Sequence, residues 1–174
     1  MKIALVVGHS VDSPGACSPH LGICEFEYNN TFVDDIINEY HGEHELLKIM
    51  RTEYKDLPDH INNKNPDYII SFHCNAFNTY ADGTETLYYN RSMAGKKLAE
   101  DIQSRIVKVL ELDNRGTKPK GREDRGGYLL KYTKAPCVII EPFFIDNYFD
   151  LNRAILRNNE LRDTFINMFN EFKL

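Results

Sequence analysis

Residues 1–9 read MKIALVVGH, an apolar run that stops on a glycine and a histidine. Ile3, Ala4, Leu5, Val6 and Val7 show no polar alternation, so a strand here is covered on both faces, the condition of a central strand in a parallel α/β sheet. His9 then stands just past the strand's carboxyl end. In open α/β sheets that edge is where ligands bind, because the loops leaving the strands line a common crevice.

The same arrangement recurs. PDYIISFHCNAF (66–77) carries an apolar run that ends on His73, and CVIIEPFF (137–144) carries one that ends on Glu141. A carboxylate directly after a buried strand is costly unless it lies at the sheet edge, is paired, or is near a metal. Three polar groups at three strand ends therefore imply one shared crevice.

The rest of the chain alternates between the two periodicities. ELLKIMRTE (45–53), GTETLYYN (83–90) and YLLKYT (128–133) read as further strands. Phe32, Val33, Ile36, Ile37 and Tyr40 form a helical stripe, LPDHINNKN (57–65) a short polar helix, and Ser92 caps a helix with the stripe Ala94, Leu98, Ile102, Ile106. From Asp150 onward Leu151, Ile155, Leu161, Phe165 and Phe169 mark a helical C-terminal segment. SVDSPGACSPHLGICEFE (10–27) and NRGTKPKGREDRGG (114–127) read as loops on their Gly, Pro and charge content. The expectation is an α/β fold: one domain over residues 1–174, with about six strands in a mostly parallel twisted sheet and helices on both faces.

Composition narrows the function. A formal charge of -5 with pI ≈ 5.7 argues against nucleic acid, whose binders cluster Lys and Arg against phosphates. No stretch approaches the ~20 apolar residues that cross a bilayer, and the short run after Lys2 lacks the pattern of an export signal. Synthesis in the cytoplasm without a signal peptide is expected, as is a monomer. Cys17, Cys24, Cys74 and Cys137 show no C-x-x-C spacing and are expected to be free thiols, Cys137 as a core residue, with a bridge or a thiolate metal site as the alternative for Cys17 and Cys24, which flank a turn-rich loop.

Two neutral imidazoles and one carboxylate are the donor set of catalytic zinc sites, which leave a fourth position open. Glu141 is better placed as a base. The third ligand then comes from Glu25 or Glu27, both at the positive end of the first helix, and residue order does not choose between them.

At this point the chain resembles a family. VVGHS with His9, CEFEYN with Glu25 and Asn29, SFHCNA with His73, GTETLYY, NRGTK, and VIIEPFFIDN with Glu141 are similar to the successive motifs of the zinc-dependent N-acetylmuramoyl-L-alanine amidases, in the branch shared by bacterial autolysins and phage endolysins. The resemblance implies that His9, Glu25 and His73 hold one Zn²⁺ and that Glu141 is the catalytic acid/base. It selects Glu25 over Glu27, because the family glutamate has an asparagine four residues on. Many members read Gly-His-Gly-Gly in the first motif, whereas here Ser10 and Val11 follow Gly8-His9.

The substrate so implied is peptidoglycan, cut between the muramoyl lactyl group and L-alanine. Asn75, beside His73, either orients a ligand or substrate or caps the strand end. Arg115 and Arg122, with Lys118 and Arg125, are candidates to meet carboxylates of the stem peptide. The expected role is a phage or prophage endolysin, without a separate wall-binding domain, that reaches the wall through a holin pore. A cellular sporulation or remodelling amidase and a non-catalytic wall-binding domain are the alternatives. A glycosidase would instead need two acids flanking a sugar bond and no metal.

Overall fold

A computed structural model of the chain describes residues 1–173. The strands are β1 (Lys2–Val7), β2 (Glu45–Met50), β3 (Tyr68–Phe72), β4 (Thr84–Tyr89), β5 (Asn114–Lys120) and β6 (Cys137–Glu141). They make one six-stranded sheet in the order β2-β1-β3-β6-β4-β5. β2, β1, β3 and β6 run parallel, β4 is antiparallel to β6, and β5 is parallel to β4. The sheet is thus mostly parallel, as expected, with a reversed pair at one edge.

Helices cover both faces. On one face α1 (Glu25–Glu39), α3 (Met93–Leu110) and α6 (Asn158–Glu171) bury Phe32, Val33, Ile36, Ile102, Phe165 and Phe169 against Ile3, Leu5, Ile70 and Phe72. On the other, α2 (Leu57–Asn62) and α4 (Gly127–Tyr132) bury Leu57, Ile61, Leu129 and Leu130 against Ala4, Val6, Ile69 and Ile139. Strand side chains alternate between faces, so each central strand feeds two cores and needs the unbroken apolar run from which it was recognised. α5 (Tyr148–Leu156) closes a small third cluster, Cys74, Phe143, Ile145, Leu151 and Ala154, behind the carboxyl ends. Ser92 caps α3 by accepting from the Gly95 amide, as its sequence position predicts.

Two assignments change. Asn114–Lys120, expected as loop, is the edge strand β5, half exposed along its length, where Pro119 is tolerated because an edge leaves one side of the ladder open. YLLKYT, expected as a strand, lies largely in α4, where adjacent Leu129 and Leu130 both reach the lower core. The strand count survives only because these two exchange. The C-terminal segment is two helices, with a break at Arg157.

Candidate metal centre and active site

β1 and β3 are neighbours, and the chain leaves them in opposite directions across the sheet: β1 leads through α1 to β2, while β3 lies on β1's other side. This is the switch point at which a crevice opens in doubly wound sheets. His9 leaves β1 and His73 leaves β3, with ring centroids 5.2 Å apart. Glu141 ends β6 one residue beyond the Phe72–Ile140 register pair, and the His73 amide donates to the Ile140 carbonyl at 3.0 Å. The three strand-end residues therefore stand side by side.

Glu25, the first residue of α1, supplies the carboxylate between the imidazoles. It is fully buried. Its Oε1 accepts from His73 Nδ1 at 2.9 Å and from the Cys74 amide at 3.0 Å, and Oε2 lies 3.1 Å from His9 Nε2. Burial pushes the Glu25 carboxyl up, but the hydrogen bonds and charges of His73 and His9 outweigh it and hold the group well below the usual carboxylate range. Asn29, one turn on, donates to the Glu25 carbonyl at 2.9 Å and fixes the start of the helix. Glu27 lies exposed, its side chain accepting from the Cys24 amide as half of a capping box, so it is a cap and not a ligand candidate.

The backbone around the pair is tightly constrained. His9 has φ 65°, the left-handed region that non-glycine residues enter at a cost, typically where the surrounding structure demands it. A Cβ on Gly8 would stand 2.6 Å from both His73 Cε1 and the Phe72 carbonyl oxygen. Gly15, at φ +81°, admits Glu25 and His9, since a Cβ there would meet Glu25 Oε2 at 2.6 Å and His9 Cδ2 at 2.8 Å. Gly8 stands beside His9 in the opening motif, whereas Gly15 has no signal in the sequence beyond a loop composition.

The loop carrying Gly15 is tied down by a disulfide between Cys17 and Cys24, the alternative to the free thiols expected at these two positions. The two residues face each other in an antiparallel bridge, and Ser18 and Ile23 hydrogen-bond between them, so the loop brings the sulfurs together whatever their spacing in sequence. Cys74 and Cys137 are free and buried, as expected. Closing so short a loop stabilises by about 2–3 kcal/mol on chain-entropy grounds. The Cys17→Ser, Cys24→Ser double variant is expected to melt several degrees lower in calorimetry, with the loss reproduced in the unaltered protein by reductant.

Glu141 is set apart electrostatically. Burial, then the neighbouring charge of Glu85, push its carboxyl up to about 7, against partial relief from Arg125 and Lys120. Glu85 faces it directly in the β4–β6 register. Its other side is held by Arg115, whose Nε donates at 2.8 Å while the guanidinium lies 4.9 Å over the Phe144 ring. Glu85 has no role beyond the strand in the sequence reading; its signal is that it is the one charged residue of Thr84–Tyr89.

The three candidate substrate residues each have a partner within the chain. Arg115 is engaged with Glu85, and Arg122 is exposed and paired with Glu123 at 2.8 Å. The Asn75 side chain accepts from the Ala76 amide at 3.0 Å while its backbone bridges to Phe143 and Ile145. The IDN end of the last motif is scaffolding: Asp146 accepts from the Phe77 and Thr79 amides, and Asn147 caps α5. His20 is exposed and packs on Tyr148.

His9, Glu25 and His73 each place one donor atom within 4.8 Å of the others. Two nitrogens and one carboxylate oxygen suit zinc, and His9 Nδ1 is buried without a hydrogen-bond partner among the described residues. The site fits the ion.

Comparison with known proteins gives the family and the fold. The sequence profile of the N-acetylmuramoyl-L-alanine amidase family matches residues 3–167. The chain belongs to that family. LytC of Bacillus subtilis strain 168, an N-acetylmuramoyl-L-alanine amidase, is 28% identical over 154 residues, 84% of this chain and 30% of that protein. The chain thus spans about a third of that relative. Among solved structures, the N-acetylmuramoyl-L-alanine amidase from Clostridium difficile 630 superposes with a TM-score of 0.83 at 21% identity, covering 95% of this chain and 92% of the other. The catalytic domain of the CD27L endolysin, which targets Clostridia difficile, gives 0.73 at 27% identity, covering 95% and 94%.

Proposed function

We propose that this amidase-family chain is a zinc-dependent peptidoglycan hydrolase that cleaves the amide between the N-acetylmuramoyl lactyl group and L-alanine. The observation that carries the reading is the buried Glu25 carboxylate between His9 and His73, with a second, chemically distinct carboxyl, Glu141, on the adjacent strand end. A non-catalytic wall-binding role would require neither the donor set nor a carboxyl raised towards neutrality.

Held by His9, Glu25 and His73, a zinc ion supplies Lewis acidity, making water nucleophilic near neutral pH and polarising a carbonyl. The remaining work falls to the chain. Glu141 accepts the proton of the attacking water and returns it to the departing alanine nitrogen, so one carboxyl serves as base and then as acid. A group titrating at about 7 is suited to both halves. Glu85 and Arg115 position it: Arg115 fixes Glu85, and the Glu85 charge holds a proton on Glu141 more readily than burial alone.

This gives a pH prediction. The base must be ionised, so activity rises as pH climbs through the Glu141 titration. Glu85→Gln removes the nearest like charge, which lowers the Glu141 pKa, and the acid limb of the kcat/KM profile is expected to move to lower pH. An unmoved limb would assign it to another group.

Chelation is expected to abolish wall clearing, and Zn²⁺ to restore it, at one equivalent per chain. Activity that survives complete removal of metal would reject the zinc reading. The finer assignment, a phage or prophage lysis enzyme, is supported by the likeness to the CD27L catalytic domain; the likeness to LytC supports a cell's own wall amidase instead. No described helix is long and apolar enough to cross a membrane. Lysis from inside the host only when a holin is co-expressed would favour the first.

A further inference from the structure

The reacting groups form one row across the sheet: Gly8, His73, Glu141 and Glu85 stand at its carboxyl edge. One step below, on the same face, Val6, Ser71, Ile139 and Leu87 are consecutive register partners on β1, β3, β6 and β4. They floor a cleft of about 360 Å³ that is continuous with His9, His73 and Glu141 and is walled by Tyr54, Leu57 and Leu129. A group that fills it lies beside His73 and Glu141.

Two features say what fills it. Arg51 and Arg125 line the cleft, and neither has an acidic partner within ion-pair distance among the described residues. The other charged liners are occupied: Glu123 pairs with Arg122, and Asp124 accepts from the Gly121 amide. Arg51 lies 5.1 Å over the Tyr54 ring and Arg125 acts on Glu141 only through its charge, so the cleft of a chain of net charge -5 holds two guanidiniums without an ion pair beside one catalytic carboxylate, and an incoming anion can join them. Separately, the Ser71 hydroxyl, in a residue 1% exposed, has no hydrogen-bond partner among the described residues and lies in the floor of the cleft.

We propose that this cleft receives the peptide side of the scissile amide, and that Arg51 and Arg125 select stem peptides whose second residue carries a free α-carboxylate over those in which it is amidated. The proposal rests on the amidase reading. The muramoyl side of the bond is a neutral sugar and offers the guanidiniums nothing, whereas the peptide's second residue, a D-glutamate or its α-amide, places or removes one negative charge next to the alanine. The apolar floor and walls fit the aliphatic part of such a residue. Of the four cations first singled out in the sequence, Arg125 lines the cleft, whereas Arg115 and Arg122 are paired with Glu85 and Glu123 and are not assigned this task.

The test uses two muramoyl stem peptides that differ only in D-glutamate against D-isoglutamine at the second position. The zinc-loaded protein is expected to favour the free carboxylate by about tenfold or more in kcat/KM, the scale of a charge-assisted hydrogen bond. Arg51→Gln and Arg125→Gln should each pull the ratio towards one, chiefly through KM. If a variant fails to fold, product inhibition of the unaltered protein serves: L-alanyl-D-glutamate should inhibit at lower concentration than L-alanyl-D-isoglutamine. Equal use of both substrates, with cleavage intact, overturns the carboxylate cleft and leaves the amidase reading standing. So does a ratio that collapses in Arg122→Gln but not in Arg51→Gln or Arg125→Gln. Failure to cut either substrate takes both readings down.

Discussion

Glu141→Gln is expected to lower kcat by about 10²–10⁴ while the protein keeps a full equivalent of zinc. The amide preserves size and hydrogen bonding but cannot take a proton from water at neutral pH. The separation is sharp because Glu141 is not among the clustered donors His9, Glu25 and His73, and because its environment holds it near neutrality while that of Glu25 drives it far below. Metal analysis beside single-turnover kinetics reads both halves. Loss of zinc in this variant would move Glu141 into the ligand set.

Glu25→Gln should do the reverse. An amide is a poor zinc ligand, and the change also disturbs the hydrogen bonds that Glu25 takes from His73 and the Cys74 amide in a fully buried position. Zinc affinity is expected to fall by well over tenfold, activity with it, and the melting temperature to drop, since a buried hydrogen-bonded group without its charge costs about 1–3 kcal/mol. Titration with a competing chelator measures the first and calorimetry the last. Full zinc retention in Glu25→Gln would exchange the two glutamates' roles.

What the sequence reveals about this fold follows what the core demands. β1, β3 and β6 are legible because both their faces are buried, and the same burial makes the polar residue at each end conspicuous. β5 is illegible because an edge strand need satisfy no core, so NRGTKPK keeps a loop's composition while hydrogen-bonding as a strand. YLLKYT is ambiguous because a run that short shows neither period, and only its packing under β4 and β6 makes it helical. The disulfide depends on a loop conformation that Cys spacing does not encode. In the site, His9, His73 and Glu141 came from strand ends, while the choice of Glu25 over Glu27 came from the family resemblance; in the structure one is buried and the other caps the helix. The cations divide by partner, which a sequence does not show: Arg115 and Arg122 have acids beside them, whereas Arg51, far off in the chain, lines the cleft.

The central claim is the bond that is cut. Purified peptidoglycan treated with the zinc-loaded protein, then analysed for new amino termini and new reducing sugars, reads it directly. The geometry predicts free L-alanine amino termini appearing with time, none after chelation, and no rise in reducing ends. New reducing sugars without alanine termini would mean that the glycan and not the amide is cleaved, and would contradict the account.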